Sequence, residues 1–206
     1  MIQLNETQID ALKEICNIGM SKSAKQLSAL LNTHIEISIP EINLYDINTV
    51  CNYNFFPTDV VLAYVYQTFS GEINGRAVLI FQREQTTVLT QSVIGAAPKL
   101  SEKEIRACER EAMIEIGNII ITSCMCAIVN MLSCDIKLIV PTYSESKIAS
   151  LIESQVKEID ALSKDVIFIE TKLEASGQNI AGKLMIIMTK KSIDQLYAQL
   201  ETLLKG

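Results

Sequence analysis

The stretch of sequence that decides the fold is Asp10-Ala-Leu-Lys-Glu14-Ile-Cys-Asn17, because a stretch of the same form, Glu111-Ala-Met-Ile-Glu115-Ile-Gly-Asn118, follows 101 residues later. In each, an acidic residue precedes a glutamate by four positions, and that glutamate precedes an asparagine by three. A proline follows each asparagine after the same interval, at Pro40 and Pro141. A single Glu-x-x-Asn pair is typical of ordinary solvated helix surface. Two copies in register predict a duplicated unit whose repeated surface carries its function.

Both stretches lie in sequences that predict long helices. Asn5 or Thr7 caps the first helix, which we expect to run to about residue 31. Ser101 and Glu104 form a capping box that opens the second helix, which we expect to end near residue 132.

On a wheel of 100° per residue, the polar residues of each stretch fall on one helix face. We name these faces the first ridge, made of Asp10, Glu14, Asn17 and Ser21, and the second ridge, made of Glu111, Glu115, Asn118 and Thr122. The predicted core stripes lie opposite, and they comprise Leu12, Cys16, Gly19, Ser23, Leu27 and Leu30 in the first helix and Met113, Gly117, Ile120, Cys124, Ile128 and Met131 in the second. Both ridges are therefore predicted to face outward, and the two glycines to permit close packing of helix on sheet.

The remaining elements repeat in the same order. In the first half we expect a strand at His34–Ile39 stopped by Pro40, a loop over 41–59, a hairpin of Val60–Phe69 and Arg76–Gln82, and a helix at Gln85–Ile94. In the second half we expect a strand at Asp135–Val140, a helix at Ser144–Val156, a hairpin of Val166–Glu174 and Gly182–Met188, and a helix at Ser192–Leu204.

These elements predict one domain over 1–206, made of two pseudo-symmetric halves of about 1–98 and 99–206 that meet at Gly95-Ala-Ala-Pro98. We expect an α/β (α+β) two-layer sandwich, in which the two long helices cover a mixed six-stranded sheet. Such an arrangement presents one ridge per half.

Charge and hydropathy exclude several classes of partner. The net charge of −6 and the pI near 4.9 argue against nucleic acid and anionic membranes, since both reward clustered Lys and Arg. The apolar run Ile119–Leu132 is shorter than the ~20 residues of a membrane span, so we expect no membrane insertion. No basic and apolar leader pattern opens the sequence, which favours a cytoplasmic location.

The six cysteines do not form a metal-binding pattern, because no Cys-x-x-Cys pair occurs and His34 is the only histidine. Four of them lie among apolar residues of predicted helices. We therefore expect buried free thiols rather than a disulfide framework or a metal site.

A Glu and an Asn one helical turn apart offer two different functions. The carboxylate can pair with a cation on a partner, and the amide can orient a water molecule because it holds both a donor and an acceptor. Neither side chain acts as a nucleophile here. If the ridges are catalytic, water must be the nucleophile and the partner must supply the electrophile.

With these residues and spacings, the sequence resembles the CheC/CheX/FliY family of phosphatases that act on the phosphorylated chemotaxis regulator CheY. Glu14-Ile-Cys-Asn17-Ile-Gly19 resembles the first signature of a CheC-type protein, and Glu115-Ile-Gly117-Asn118-Ile resembles the second. The length and the order of elements also fit the CheC type. The second copy departs from the family pattern at Glu111, where Asp or Ser is usual.

The resemblance implies a role for each matching residue. Asn17 and Asn118 would orient the water that attacks the aspartyl phosphate of a CheY-like response regulator, and Glu14 and Glu115 would pair with that regulator's lysine. Asp10, Ser21, Glu111 and Thr122 would contact the partner at the edges of the two sites. The chain would need no cofactor of its own, since the regulator supplies Mg²⁺.

Two alternatives come from the same resemblance. One is a non-enzymatic module that binds a CheD-like receptor deamidase, which is also a candidate partner of the phosphatase. The other is a structural protein related to the flagellar switch, whose middle domains share the fold without the Glu-Asn signature.

Overall fold

The structure is a computed structural model, and it describes residues 4–46, 49–50, 56–94, 100–157, 164–175 and 178–205. The described helices are α1 (Glu6–Leu31), α2 (Arg83–Ile94), α3 (Glu102–Leu132), α4 (Ile148–Lys157) and α5 (Lys190–Lys205). The described strands are β1 (Ile35–Asp46), β2 (Leu62–Gly71), β3 (Gly75–Gln82), β4 (Ile136–Leu138), β5 (Thr142–Ser146), β6 (Lys164–Ala175) and β7 (Gln178–Thr189). The predicted boundary at 95–98 lies outside the described residues.

The two long helices begin where the sequence predicts. The side chain of Asn5 accepts a hydrogen bond from the backbone of Gln8, and Ser101 does the same for Glu104, so both helices open with a capping box. Asn32 and Ser133 follow the last turns in the left-handed conformation, which ends each helix. The predicted extents of both helices are confirmed.

The strands form one antiparallel sheet in the order β1-β6-β7-β3-β2-β4, with β5 also paired to β2. The predicted mixture of parallel and antiparallel strands is wrong for the described part of the chain, where every pairing is antiparallel. The reason is that the single strands pair across the halves. β1 lies beside the later hairpin at β6, and β4 and β5 lie beside the earlier hairpin at β2.

The two prolines have different effects on the edge strands. β1 continues through Pro40, so the prediction that this proline stops the strand is wrong. A register shift between Ser38 and Glu41 accommodates it, because an edge-strand bulge needs no donor from the proline. β4 ends at Leu138, before the predicted end at Val140, and after Pro141 the chain rejoins β2 as β5, where a helix from Ser144 was expected.

Both faces of the sheet are covered by apolar packing, so the two-layer prediction is also incomplete. Alternate residues of the central strands point into a larger core beneath α1, α2, α3 and α5. The other set forms a smaller core with Ile148, Leu151 and Ile152 of α4. Strands that are buried on both faces lack polar alternation, which explains the nearly continuous apolar sequence of β3.

Two glycines bring α3 close to its neighbours. A Cβ on Gly117 would lie 2.5 Å from Cβ of Val65 on β2, which confirms the predicted packing of helix on sheet. A Cβ on Gly19 would lie 2.7 Å from the carbonyl oxygen of Ser123, so this glycine packs on α3 rather than on the sheet. The predicted stripes are otherwise right except near the helix ends, where Leu30 is exposed and Met131 is half-buried, whereas Leu31 and Leu132 are buried.

Helix α3 is the central core element. It is long and apolar enough to span a membrane by composition, since its most apolar window has a mean hydropathy of 1.9. More than half of that window, 56%, is buried inside the protein, where α3 packs against α1 and the sheet. The apolar part of the helix is therefore longer than the sequence analysis expected. Burial of the helix in the core accounts for its apolar composition.

The described cysteines are free, in agreement with the prediction, and Cys51 lies outside the described residues. Cys16, Cys124 and Cys134 are buried, whereas Cys126 is exposed. The contact of the Cys16 thiol with Cys124, together with burial, raises the pKa of Cys16 well above its ordinary value. This thiol therefore stays protonated in the core between α1 and α3.

We expect Gly117→Ala to destabilise the protein by about 1 to 3 kcal/mol, because the new methyl group overlaps Val65. The sign is informative, since Gly to Ala in an unhindered helix should stabilise by up to about 1 kcal/mol. Urea unfolding measures the difference. Val65→Ala combined with Gly117→Ala should recover part of the loss, and a Gly117→Ala variant as stable as wild type would contradict the proposed contact.

Candidate functional site

The structure places the eight predicted ridge residues on the outer faces of α1 and α3. Both glutamates and both leading acids are exposed, whereas Asn17 and Asn118 are half-buried. Each asparagine therefore lies where the helix surface meets the sheet, with its carboxylate partner one turn away in solvent. The outward direction of both ridges, predicted from the wheel, is confirmed.

At the first ridge, a backbone group of β1 holds the asparagine. The N–H of Ile39 donates to Oδ1 of Asn17 at 3.1 Å, and Ile39 is only 2% exposed. Because a backbone N–H is always a donor, this bond fixes the Asn17 amide with its oxygen inward and Nδ2 toward solvent. Ile39 lies in the irregular part of the ladder, between Ser38 and Glu41 of the edge strand β1.

Two neighbours of Asn17 are occupied within the chain. Lys13 donates through Nζ to the carbonyl of Pro40 at 2.7 Å, which ties α1 to the bulge of β1. The hydroxyl of Ser21 donates to the carbonyl of Asn17 at 2.9 Å. Ser21 is therefore bonded to its own helix, although its side chain remains exposed.

At the second ridge, side chains hold the asparagine. Oδ1 of Asn118 accepts from Nε2 of Gln67 at 3.2 Å and from the hydroxyl of Thr122 at 3.3 Å. Gln67 lies on β2 and also donates to the carbonyl of Ile139 at 3.1 Å. Thr122 is thus directed at Asn118, and the two ridges differ in how their asparagines are supported.

Sequence reasoning missed Ile39 and Gln67. Ile39 acts through its backbone, which no side-chain pattern reveals. Gln67 did leave a signal, because Ala63, Val65 and Phe69 alternate as core residues of β2 and Gln67 occupies the same face. A polar residue at a core position of a strand points to a specific hydrogen-bonding role.

The glutamates of the two ridges have no ion-pair or hydrogen-bond partner among the described residues, so their charge is available to a partner. Exposed apolar side chains flank both positions. Ile18, next to Asn17, is 51% exposed, and Ile139 and Val140, next to the Gln67 contact, are 55% and 80% exposed. Each ridge therefore combines a free carboxylate, an oriented amide and an apolar border.

Within the residues that the structure describes, no group of three His, Cys, Asp or Glu side chains is arranged to hold a metal ion. Each ridge offers two carboxylates beside one amide whose oxygen is already bonded within the chain, which is a small donor set for a firmly held cation.

A separate concave region of about 370 Å³ lies between β5 and α3, and none of the ridge residues lines it. Arg83 crosses it with ion pairs to Glu109 at 2.6 Å and to Glu145 at 3.0 Å. Burial by itself would lower the pKa of Arg83, but the carboxylates of Glu109 and Glu145 raise that pKa above its ordinary value. Burial and the hydrogen bond to Glu145 raise the pKa of Tyr143. This network joins the start of α2 to α3 and β5.

The predicted resemblance to CheC-type proteins is confirmed by comparison with known proteins. Residues 8–44, which cover most of α1 and β1, match the CheC-like family. Over 201 residues, which are 96% of this chain and 95% of the relative, the chain is 22% identical to the CheY-P phosphatase CheC of Bacillus subtilis (strain 168). Over 115 residues, 53% of this chain, it is 29% identical to the flagellar motor switch phosphatase FliY of the same organism, of which this stretch is 29% of the length.

The fold is also that of a solved structure. The crystal structure of Thermotoga maritima FliY superposes with a TM-score of 0.74 over 98% of this chain and 99% of that chain, at 19% identity. The likeness establishes a mixed α/β fold with an antiparallel sheet. Since it rests on 19% identity, it concerns the fold and not the chemistry.

We expect Asn17→Ala to lower the free energy of unfolding by about 1 kcal/mol, because it removes the acceptor of the buried Ile39 N–H. Asn17→Asp keeps an oxygen at that position and should lose less. Urea unfolding of the two variants tests this. Equal losses would mean that the Ile39 contact does not support the asparagine.

Proposed function

We propose that this protein is a phosphatase that hydrolyses the aspartyl phosphate of a CheY-like response regulator. The observation that carries the proposal is the repeated pairing of an exposed glutamate with an asparagine whose Oδ1 is bonded within the chain and whose Nδ2 has no partner among the described residues, once on α1 and once on α3. The CheC and FliY relatives support it through their names as phosphatases, of CheY-P in the case of CheC.

The asparagines are proposed to orient the attacking water. Among the residues that the structure describes, Asn17 and Asn118 contact no nucleophile, so we propose that they act on a bond that the partner carries. An amide held in one orientation presents a fixed donor to the water or to the phosphoryl oxygens, and this preorganisation lowers the barrier without a proton transfer by the amide. Water-positioning side chains serve the same purpose in other phosphoryl-transfer enzymes.

The glutamates are proposed to fix the docking register by pairing with the lysine of the regulator. Glu14 and Glu115 are exposed, and at such a position an ion pair contributes orientation more than affinity. Asp10 and Glu111, one turn earlier, extend each acidic face toward the partner. We assign Ser21 and Thr122 a supporting role at the edge of the sites, because their hydroxyls bond within the chain.

We propose that the regulator, and not this chain, would hold the Mg²⁺, whose charge would offset that of the phosphoryl oxygens. The residues of this chain then bind the regulator and orient the attacking water, and they exclude other arrangements of that water. We place the reaction in the cytoplasm, and neither nucleic acid nor a membrane takes part. A CheD-like deamidase remains a proposed second partner.

The test is phosphate loss from a radiolabelled, phosphorylated CheY-like regulator. We expect Asn17→Ala and Asn118→Ala each to leave part of the activity, and the double variant to lose about 10- to 1000-fold in rate. Asn130→Ala is the matched control, since Asn130 is an exposed asparagine of α3 outside the ridge. A double variant as active as wild type would refute the water-orienting role.

The proposed pairing of the glutamates with the regulator's lysine predicts a kinetic change different from that of the asparagine variants. Glu14→Gln together with Glu115→Gln should raise KM for the phosphorylated regulator more than it lowers kcat, and the difference from wild type should shrink at high salt. If wild type adds nothing to the regulator's own dephosphorylation, the alternatives of a deamidase-binding module or a structural switch protein gain support.

A further inference from the structure

Gln67 is a buried polar side chain in an otherwise apolar layer. It is 3% exposed and lies between Val65 and Phe69 on the helix-facing side of β2. Its Oε1 has no hydrogen-bond partner within the described chain, although the atom is buried. Burial of an unpaired polar atom opposes folding, so packing alone would favour an aliphatic residue at this position.

The placement of Gln67 follows from the close packing of α3 on the sheet. Gly117 lies directly over Val65, with no side chain between the helix and the strand. The next helix residue is Asn118, and the next residue on the same face of β2 is Gln67. The amide groups of these two residues therefore meet at the edge of the core, at 3.2 Å.

The orientation of both amides follows from one backbone group. The carbonyl of Ile139 can only accept, so Gln67 must direct Nε2 toward it, at 3.1 Å. The second N–H of Nε2 then faces Asn118, which must present Oδ1 in return. Thr122 adds a second donor to the same oxygen. Nδ2 of Asn118 is left pointing away from the core.

The first ridge achieves the same orientation without such a residue. There the N–H of Ile39 holds Asn17 directly. The residue 101 positions after Ile39 is Val140, which is 80% exposed and lies in the break between β4 and β5. The backbone support of the first ridge is therefore missing from the second, and Gln67 occupies its place.

We propose that Gln67 is the positioning residue of the second ridge, holding the Asn118 amide with Nδ2 outward for the partner's phosphoryl group. This rests on the proposed phosphatase function. Gln67 itself touches no reacting atom. Substitution of Gln67 is expected to lower kcat at the second ridge with little change in the free energy of unfolding.

The kinetic test isolates the second ridge with Asn17→Ala and then adds Gln67→Met. We expect kcat for the phosphorylated regulator to fall about 10- to 100-fold while KM changes less than about twofold, because the amide loses its fixed orientation. Gln67→Leu should act in the same way, since an aliphatic side chain cannot donate to Asn118. In the Asn118→Ala background, Gln67→Met should cause no comparable further loss of kcat.

Stability separates positioning from packing. Gln67→Met removes the unpaired Oε1 together with the two hydrogen bonds of Nε2, and these changes oppose each other, so the urea midpoint should shift little, whereas a mainly structural role requires a large fall. Gln26→Met, at an exposed glutamine of α1 outside the ridge, controls for the substitution itself. An active second ridge with unchanged kcat in the Gln67→Met variant overturns the inference, while the proposed function stands.

A second measurement does not depend on catalysis. The side-chain NH₂ signal of Asn118 is assigned by its loss in Asn118→Ala, and its mobility is followed by ¹⁵N relaxation. We expect an ordered amide in the unmodified protein and a mobile one in Gln67→Met. If neither ridge is active, the proposed function fails, and this measurement still decides the role of Gln67. Equal order in both proteins overturns it.

Discussion

The close packing of α3 against α1 and against the sheet is the constraint on which the rest of the structure depends. Gly19 lets the backbones of α1 and α3 approach, and Gly117 lets α3 lie on Val65 of the sheet. A larger residue at Gly19 would move α3 away from α1, and one at Gly117 would move α3 away from the sheet, since the contacting atoms belong to the backbone or to a branched core side chain. Both ridges are carried by these helices, so their positions relative to the sheet follow from the same contacts.

The two edges of the sheet support Asn17 and Asn118 by different contacts, although both contacts hold the amide in the same orientation. β1 remains paired with β6 through a bulge, and the N–H of Ile39 donates to Oδ1 of Asn17. The opposite edge is divided into β4 and β5, so the side chain of Gln67 supplies the donor to Asn118. Two sequence motifs of the same spacing therefore hold their asparagine oxygens through different contacts.

The side chains of each ridge are suited to binding and orienting another molecule. An exposed carboxylate and an oriented amide can bind and position. Glu14 and Glu115 are exposed and unpaired within the described part of the chain. The Arg83 network lies elsewhere and serves the packing of α2, α3 and β5.

The sequence by itself determined the two capped helices, the outward ridges and both hairpins, because capping residues and apolar periodicity act over a few neighbouring positions. The division into two halves stays a prediction from the repeat. Only the tertiary structure decided the antiparallel order of the sheet, the path of the chain at Pro40 and the apolar layer under α4, since pairing across the halves has no local signal. It also decided the partners of the two asparagines. One is a backbone N–H and the other is Gln67, 51 residues away along the chain, and such distant contacts are made only when the chain folds.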